Sequence, residues 1–266
     1  MSLALYLFAI FAYLSTLVVL YRSVFHHFPI AKSWILILSL AGGLAHLVSS
    51  LTTMITPQGA DLSLFRSGSL IFSLMVILVS LSSVRRNSHS LLLIVLPVAI
   101  LFILLSLFTQ PTKIAALSGG MAAHVLLSIL AYGVITIAAC YALALYYVSY
   151  RLKHKLTGGA LQVLPPLETI DKLLFEMILA GEILLTLSIA SGFFFIDSFF
   201  AQHLAHKTFF SLVSWGIFGF LIVGHYKFGW RGSKAIKWTL SGFLALLLAY
   251  AGSKFVVEWI LATPLS

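Results

Sequence analysis

Five ionisable side chains stand inside or at the edge of long apolar runs: His46, His124, Glu182, His206 and His225. A polar group in hydrocarbon costs several kcal/mol unless something satisfies it, which makes such residues candidates for function. Two imidazoles facing each other across an apolar bundle are a protein's usual means of holding haem iron from both sides, and apolar walls suit a porphyrin. A carboxylate at the depth of an imidazole can fix its tautomer from behind, as carboxylates do for metal-bound histidines, or it can carry a proton or a small ion. Each residue also has a plainer reading. His206 can be a solvated interfacial residue, and His225, followed by Tyr226 and Lys227, a headgroup anchor. His46 can be satisfied by a hydrogen bond, and Glu182 can be a neutral acid bonded to a neighbouring helix. His26, His27, His89 and His154 fall in basic loops and read as solvated surface, and Glu176 sits near an interface.

The elements that must position these groups follow from composition. Hydrophobic residues make up 61% of the 266 and charged residues 9%, against about 25% charged in soluble domains. With a mean hydropathy of +1.09, the chain reads as an all-α, polytopic helical membrane bundle forming a single integral membrane domain over 1–266. Apolar runs of bilayer-crossing length predict eight spans: Leu3–Leu20, Trp34–Met54, Phe65–Val84, Leu91–Phe108, Ala122–Val148, Leu173–Ile196, Thr208–His225 and Trp238–Leu261. At ~1.5 Å per residue, His46 then lies ~18 Å along the second span and Glu182 ~14 Å up the sixth, at comparable depth. His124 and His206 fall near one surface and His225 near the other.

Charge sets the direction. Twelve of the sixteen Lys/Arg follow the first, third, fifth and seventh spans, from Arg22 and Lys32 to Lys227, Arg231, Lys234 and Lys237. The other side holds only Arg66, Lys113, Lys207 and Lys254. The positive-inside rule places the twelve in the cytoplasm and both termini outside. The net charge of +9 is therefore spread between spans, and does not point to nucleic acid. The longest loop is basic, then flexible at Gly158–Gly159, then stiffened by Pro165–Pro166, so that PPLETIDKLLFEM reads as an interfacial entry to the sixth span. Small residues such as Gly42, Gly43, Gly68 and Gly181 suit close helix approach. The single Cys140 excludes a disulfide framework or a cysteine metal cluster. The first apolar run lacks a basic n-region and a cleavage site, and reads as a retained helix.

Several ordered motifs carry a resemblance. HKTFFSLVSW, then GHY, then GWRG leading into SGFLALLLAYAGSKF is similar to the C-terminal half of the cytochrome c assembly family (CcsA, HemX and relatives) and most of all to its small YpjD branch. His124 in HVLLSILAYGVITIAACYALAL and the PPLETIDKLLFEMI segment match it too. The resemblance implies haem handling, with His124 at an external haem site and His225 at a transmembrane one. CcsA-type haem exporters carry a tryptophan-rich WGxxWxWD segment where this chain reads SFFAQHLAHKT. They also carry a histidine near the C-terminal end, where KFVVEWILATPLS has none.

Together these readings predict an inner-membrane protein that binds or moves haem b and performs no bond-making chemistry. His124 and His46 are expected as ligands in the outer half, His225 as a second, inner ligand, His206 as a further candidate, and Glu182 as the partner that orients His46. Its surroundings are the lipid bilayer, haem and other membrane assembly proteins. The alternatives are a haem-free membrane scaffold or regulator of assembly, and a small-ion or proton pathway through Glu182 and His46. No P-loop, dinucleotide fingerprint or nucleophilic triad is present.

Overall fold

The computed structural model describes residues 2–25, 32–57, 59–85, 89–109, 114–115, 119–156, 164–195 and 205–252. Among the described residues there are eight α-helices: α1 (Ser2–Phe25), α2 (Lys32–Met54), α3 (Leu64–Arg85), α4 (Leu92–Phe108), α5 (Gly119–Lys153), α6 (Leu167–Phe195), α7 (Ala205–Phe228) and α8 (Ser233–Leu247). The first seven are long and apolar enough to cross a bilayer. The eighth continues as a π turn over Leu248–Gly252, and the rest of the expected eighth span lies outside the described residues. The protein is thus an all-α polytopic membrane bundle, as its composition requires.

The chain folds as two compact units, Met1–Ala116 with Leu143–Lys172, and Leu117–Ala142 with Leu173–Ser266. In the first, α1 packs on α2, α2 on α3, α3 on α4, and α4 back on α1. Close approach of α1 and α2 depends on Gly42, where a Cβ would come within 2.9 Å of the Tyr13 ring. Hydroxyls inside this unit largely answer to their own helices, as when Ser49 Oγ donates to the Ala45 carbonyl at 2.6 Å and Thr16 Oγ1 to that of Ala12 at 2.7 Å. Ser80 Oγ instead crosses to Ser39 Oγ at 2.8 Å and ties α3 to α2.

The connections at one end of this unit hold structure that hydropathy does not announce. Strands β1 (Ile55–Thr56), β2 (Gly59–Asp61) and β3 (Ile114–Ala115) form a small antiparallel sheet in that order, with Ile55 opposite Ala60 and Ala60 opposite Ala115. Arg66 locks it. Its Nη1 pairs with Asp61 Oδ2 at 2.7 Å and donates to the Thr53 carbonyl at 3.1 Å, and its Nη2 donates to the Thr109 carbonyl at 3.4 Å. The ends of α2 and α4 are thereby tied to the first turn of α3, and the buried Asp61 has its counter-charge.

In the second unit α7 packs on α8, with Ser214 Oγ donating to the Gly242 carbonyl at 2.9 Å. Gly181 of α6 faces Ile135 of α5, where a Cβ would stand 2.6 Å from the Ile135 side chain. The PPLETIDKLLFEM segment is not a separate element. The amide of Ile170 donates to the Pro166 carbonyl at 3.1 Å, and α6 runs unbroken from Leu167 to Phe195. Gly158 and Gly159, read as flexible, lie outside the described residues.

Candidate functional site

His46 lies at the centre of the first unit with no exposed surface. Its Nδ1 is 3.1 Å from Tyr13 Oη and its Nε2 is 2.8 Å from Ser69 Oγ, which is itself 3.2 Å from Ser50 Oγ. The rings of Tyr6 and Tyr13 stand edge-on to it, at 6.1 and 5.8 Å between centroids. Both partners are hydroxyls, which can donate or accept, so either neutral tautomer of the imidazole is fully satisfied. An axial ligand needs a nitrogen lone pair open towards the iron, and in this arrangement neither nitrogen is open. Tyr13 and Ser69 hold the positions that sequence reasoning assigned to Glu182.

His124 is held differently. In the second turn of α5, its Nδ1 lies 2.9 Å from the Ser188 carbonyl of α6 and 3.1 Å from Ser191 Oγ. A carbonyl only accepts, so Nδ1 carries the hydrogen and Nε2 carries the lone pair. Among the described residues Nε2 has no hydrogen-bond partner. Ser128 Oγ, one turn on, donates to the His124 carbonyl at 2.8 Å and meets Ser188 Oγ at 2.7 Å, fixing α5 against α6 at this level.

His225 repeats the pattern at the far end of α7. The sequence GHYKFGW ends that helix with a glycine in the left-handed region, Gly229 at φ +65°. The Gly229 amide donates to the His225 carbonyl at 3.0 Å, the single bond of an αL cap, and the Trp230 amide reaches back to the Gly224 carbonyl at 3.1 Å. That turn brings the Trp230 carbonyl to 2.9 Å from His225 Nδ1. Again Nδ1 donates and Nε2 is left open among the described residues. Phe175 of α6 stacks on the imidazole at 3.5 Å between centroids, and a Cβ at Gly224 would overlap the Trp230 indole. Trp230 lies parallel to Trp238 of α8 at 6.3 Å, with Lys234 over its face.

The two imidazoles meet α6 at Ser188 and Phe175, ~20 Å apart along a helix rising ~1.5 Å per residue. They are therefore too far apart to share one iron. Glu182 lies between those levels on α6, nine-tenths buried, with Oε2 lacking any hydrogen-bond partner among the described residues. The first turn of α7 includes His206, whose side chain lies outside the described residues. Among the described residues no three His, Cys, Asp or Glu side chains gather as a metal cluster. Haem suits such a donor set, because the porphyrin supplies four nitrogens and asks the protein for only one or two axial side chains. Tyr13, Ser69 and Ser188 carry no mark in the sequence, and Trp230 is marked there only as a membrane-flanking tryptophan of the GWRG motif. The glycine that caps α7 is the sequence signal for the role of the Trp230 carbonyl, because it predicts a carbonyl-presenting turn after His225.

Comparison with known proteins agrees with this architecture. The chain is 34% identical over 205 residues to the inner membrane protein YpjD of Escherichia coli K12, covering 76% of this chain and 78% of that one. It is 26% identical over 194 residues to an uncharacterized 28.8 kDa protein of Azospirillum brasilense, 70% of this chain and 72% of that one. No solved structure matches it. The family described as cytochrome C assembly protein matches residues 1–261, and to that family this polytopic membrane chain, with its carbonyl-anchored His124 and His225, belongs.

Proposed function

We propose that this protein binds haem b within the inner membrane, at His124 and at His225, as a carrier or assembly factor and not as an enzyme. One observation carries the reading. Each of these imidazoles donates its Nδ1 hydrogen to a backbone carbonyl, at 2.9 Å in both cases, which in the neutral ring leaves the lone pair on Nε2. That is the tautomer and the support an axial histidine needs, because the Nδ1 bond fixes the ring plane and raises the basicity of the opposite nitrogen. Bound haem would supply the redox-active iron. The chain's part is to hold the ring edges in apolar surroundings and to keep the two imidazoles neutral and aimed. His206, in the first turn of α7, is the further candidate ligand. His46, saturated by Tyr13 and Ser69, serves the packing of the first unit. The place of work is a multi-pass position in the bilayer, alongside partner proteins of cytochrome assembly.

The test is the absorption spectrum of the purified protein in mild detergent, before and after reduction and haem titration. A Soret band with low-spin α and β bands is the expected result. His124→Gly and His225→Gly should each lose one haem population or weaken it at least ~10–100-fold, and added imidazole should restore the missing axial nitrogen. His206→Ala tests the further ligand in the same assay. A spectrum that stays featureless after haem is added overturns the proposal in favour of a haem-free scaffold that acts through helix packing with its partners.

A further inference from the structure

Glu182 has no part in that reading, yet it is an ionisable side chain buried in the second unit. It is 9% exposed, and Oε2 is buried without a hydrogen-bond partner among the described residues. Oε1 faces α7 where that helix has no side chain: a Cβ at Gly219 would stand 3.5 Å from Oε1 and meet nothing else within 4 Å. Nearly one turn away, a Cβ at Gly216 would meet nothing at all, and Gly216 is exposed. The two glycines leave a bare strip of backbone leading from the surface of α7 to the carboxyl. Trp215 flanks the strip, its Nε1 donating to Thr186 Oγ1 at 2.9 Å, while Thr186 Oγ1 donates to the Glu182 carbonyl at 2.7 Å. On the α5 side the neighbour of this turn is the aliphatic Ile135. Among the described residues no ionisable side chain is paired or hydrogen-bonded with Glu182.

A carboxylate with neither counter-charge nor donor is not tolerated in the interior of a membrane protein, whereas a carboxylic acid is. A metal cation would need several oxygens around it, and the nearby Thr186 hydroxyl is already engaged twice. We propose that Glu182 is a proton-binding site of the second unit, loaded and unloaded through the glycine strip of α7. The donors that answer the charge on release are in place one turn away. The Thr186 hydroxyl turns from the Glu182 carbonyl to the carboxylate, and the Trp215 N–H follows it.

The experiment uses the full chain in lipid nanodiscs without added haem, so that its outcome is independent of the haem proposal. The probe is dicyclohexylcarbodiimide, which enters the apolar phase and reacts with the protonated acid. The carboxyl oxygen adds to the central carbon, the acid proton goes to a nitrogen, and the O-acylisourea rearranges to a stable N-acylurea with no oxidant or leaving group. Peptide mapping should find the adduct at Glu182 at neutral pH, declining as pH rises and absent in Glu182→Gln. A water-soluble carbodiimide should label the exposed Glu168 instead. Gly219→Val, which fills the strip and keeps the acid, should slow labelling. An unlabelled Glu182, protection by sodium or potassium at constant pH, or unchanged labelling in Gly219→Val would each overturn the assignment.

Discussion

What a histidine can do here is decided by the partner of its other nitrogen. His46 has a hydroxyl on each side, from Tyr13 and Ser69, and so links α2 to α1 and to α3. His124 and His225 have a backbone carbonyl on one side and, among the described residues, no hydrogen-bond partner on the other. The contrast is testable with single hydroxyls. Tyr13→Phe keeps the ring that Gly42 accommodates but leaves His46 Nδ1 buried without a partner, a loss of about 1–3 kcal/mol. Thermal unfolding in detergent should register that loss, and the haem spectrum should be unchanged. A haem spectrum altered by Tyr13→Phe or His46→Ala, with His124→Gly silent, would return His46 to the role of ligand.

At the level of elements, the end of α7 shows how a local rule builds a site. The glycine at 229 permits the left-handed turn, the turn delivers the Trp230 carbonyl, and the carbonyl fixes the His225 ring. Packing of Trp230 against Phe220 and Trp238 holds the turn in place. A β-branched residue at φ +65° costs about 1–2 kcal/mol for a left-handed conformation. Gly229→Val should therefore displace the carbonyl, weaken the haem population assigned to His225 and spare that of His124, as separate titrations of the two bands would show. Equal loss from both sites would mean that the turn supports the whole unit and not one ligand. The sheet of β1, β2 and β3 with its Arg66–Asp61 pair is the matching device at one end of the first unit, where it ties α2, α3 and α4.

For the whole molecule the governing quantity is charge across the bilayer. With twelve of sixteen Lys/Arg on one side, both termini are expected outside. A phosphatase fused after Ser266 should then be active and a fluorescent protein there dark; the opposite pattern would invert the direction assigned to both proposed haem sites. The class of fold and the existence of the helices were legible in the chain, because a bilayer leaves an apolar run of such length little alternative to a helix. Their ends were less so. Helix α5 runs Gly119–Lys153, past the expected limits of 122 and 148, since Tyr150, Arg151 and Lys153 extend the helix into the interface where hydropathy falls silent. Strands of two or three residues carry no periodicity, and the sheet went unseen. Family motifs marked His124 and His225, and burial marked His46 and Glu182. The sequence by itself thus determined which groups would be expensive in the membrane. Only the tertiary structure decided which had partners, because a serine or tyrosine in a span can answer its own helix or a neighbour's histidine, and which it does depends on how closely two helices approach.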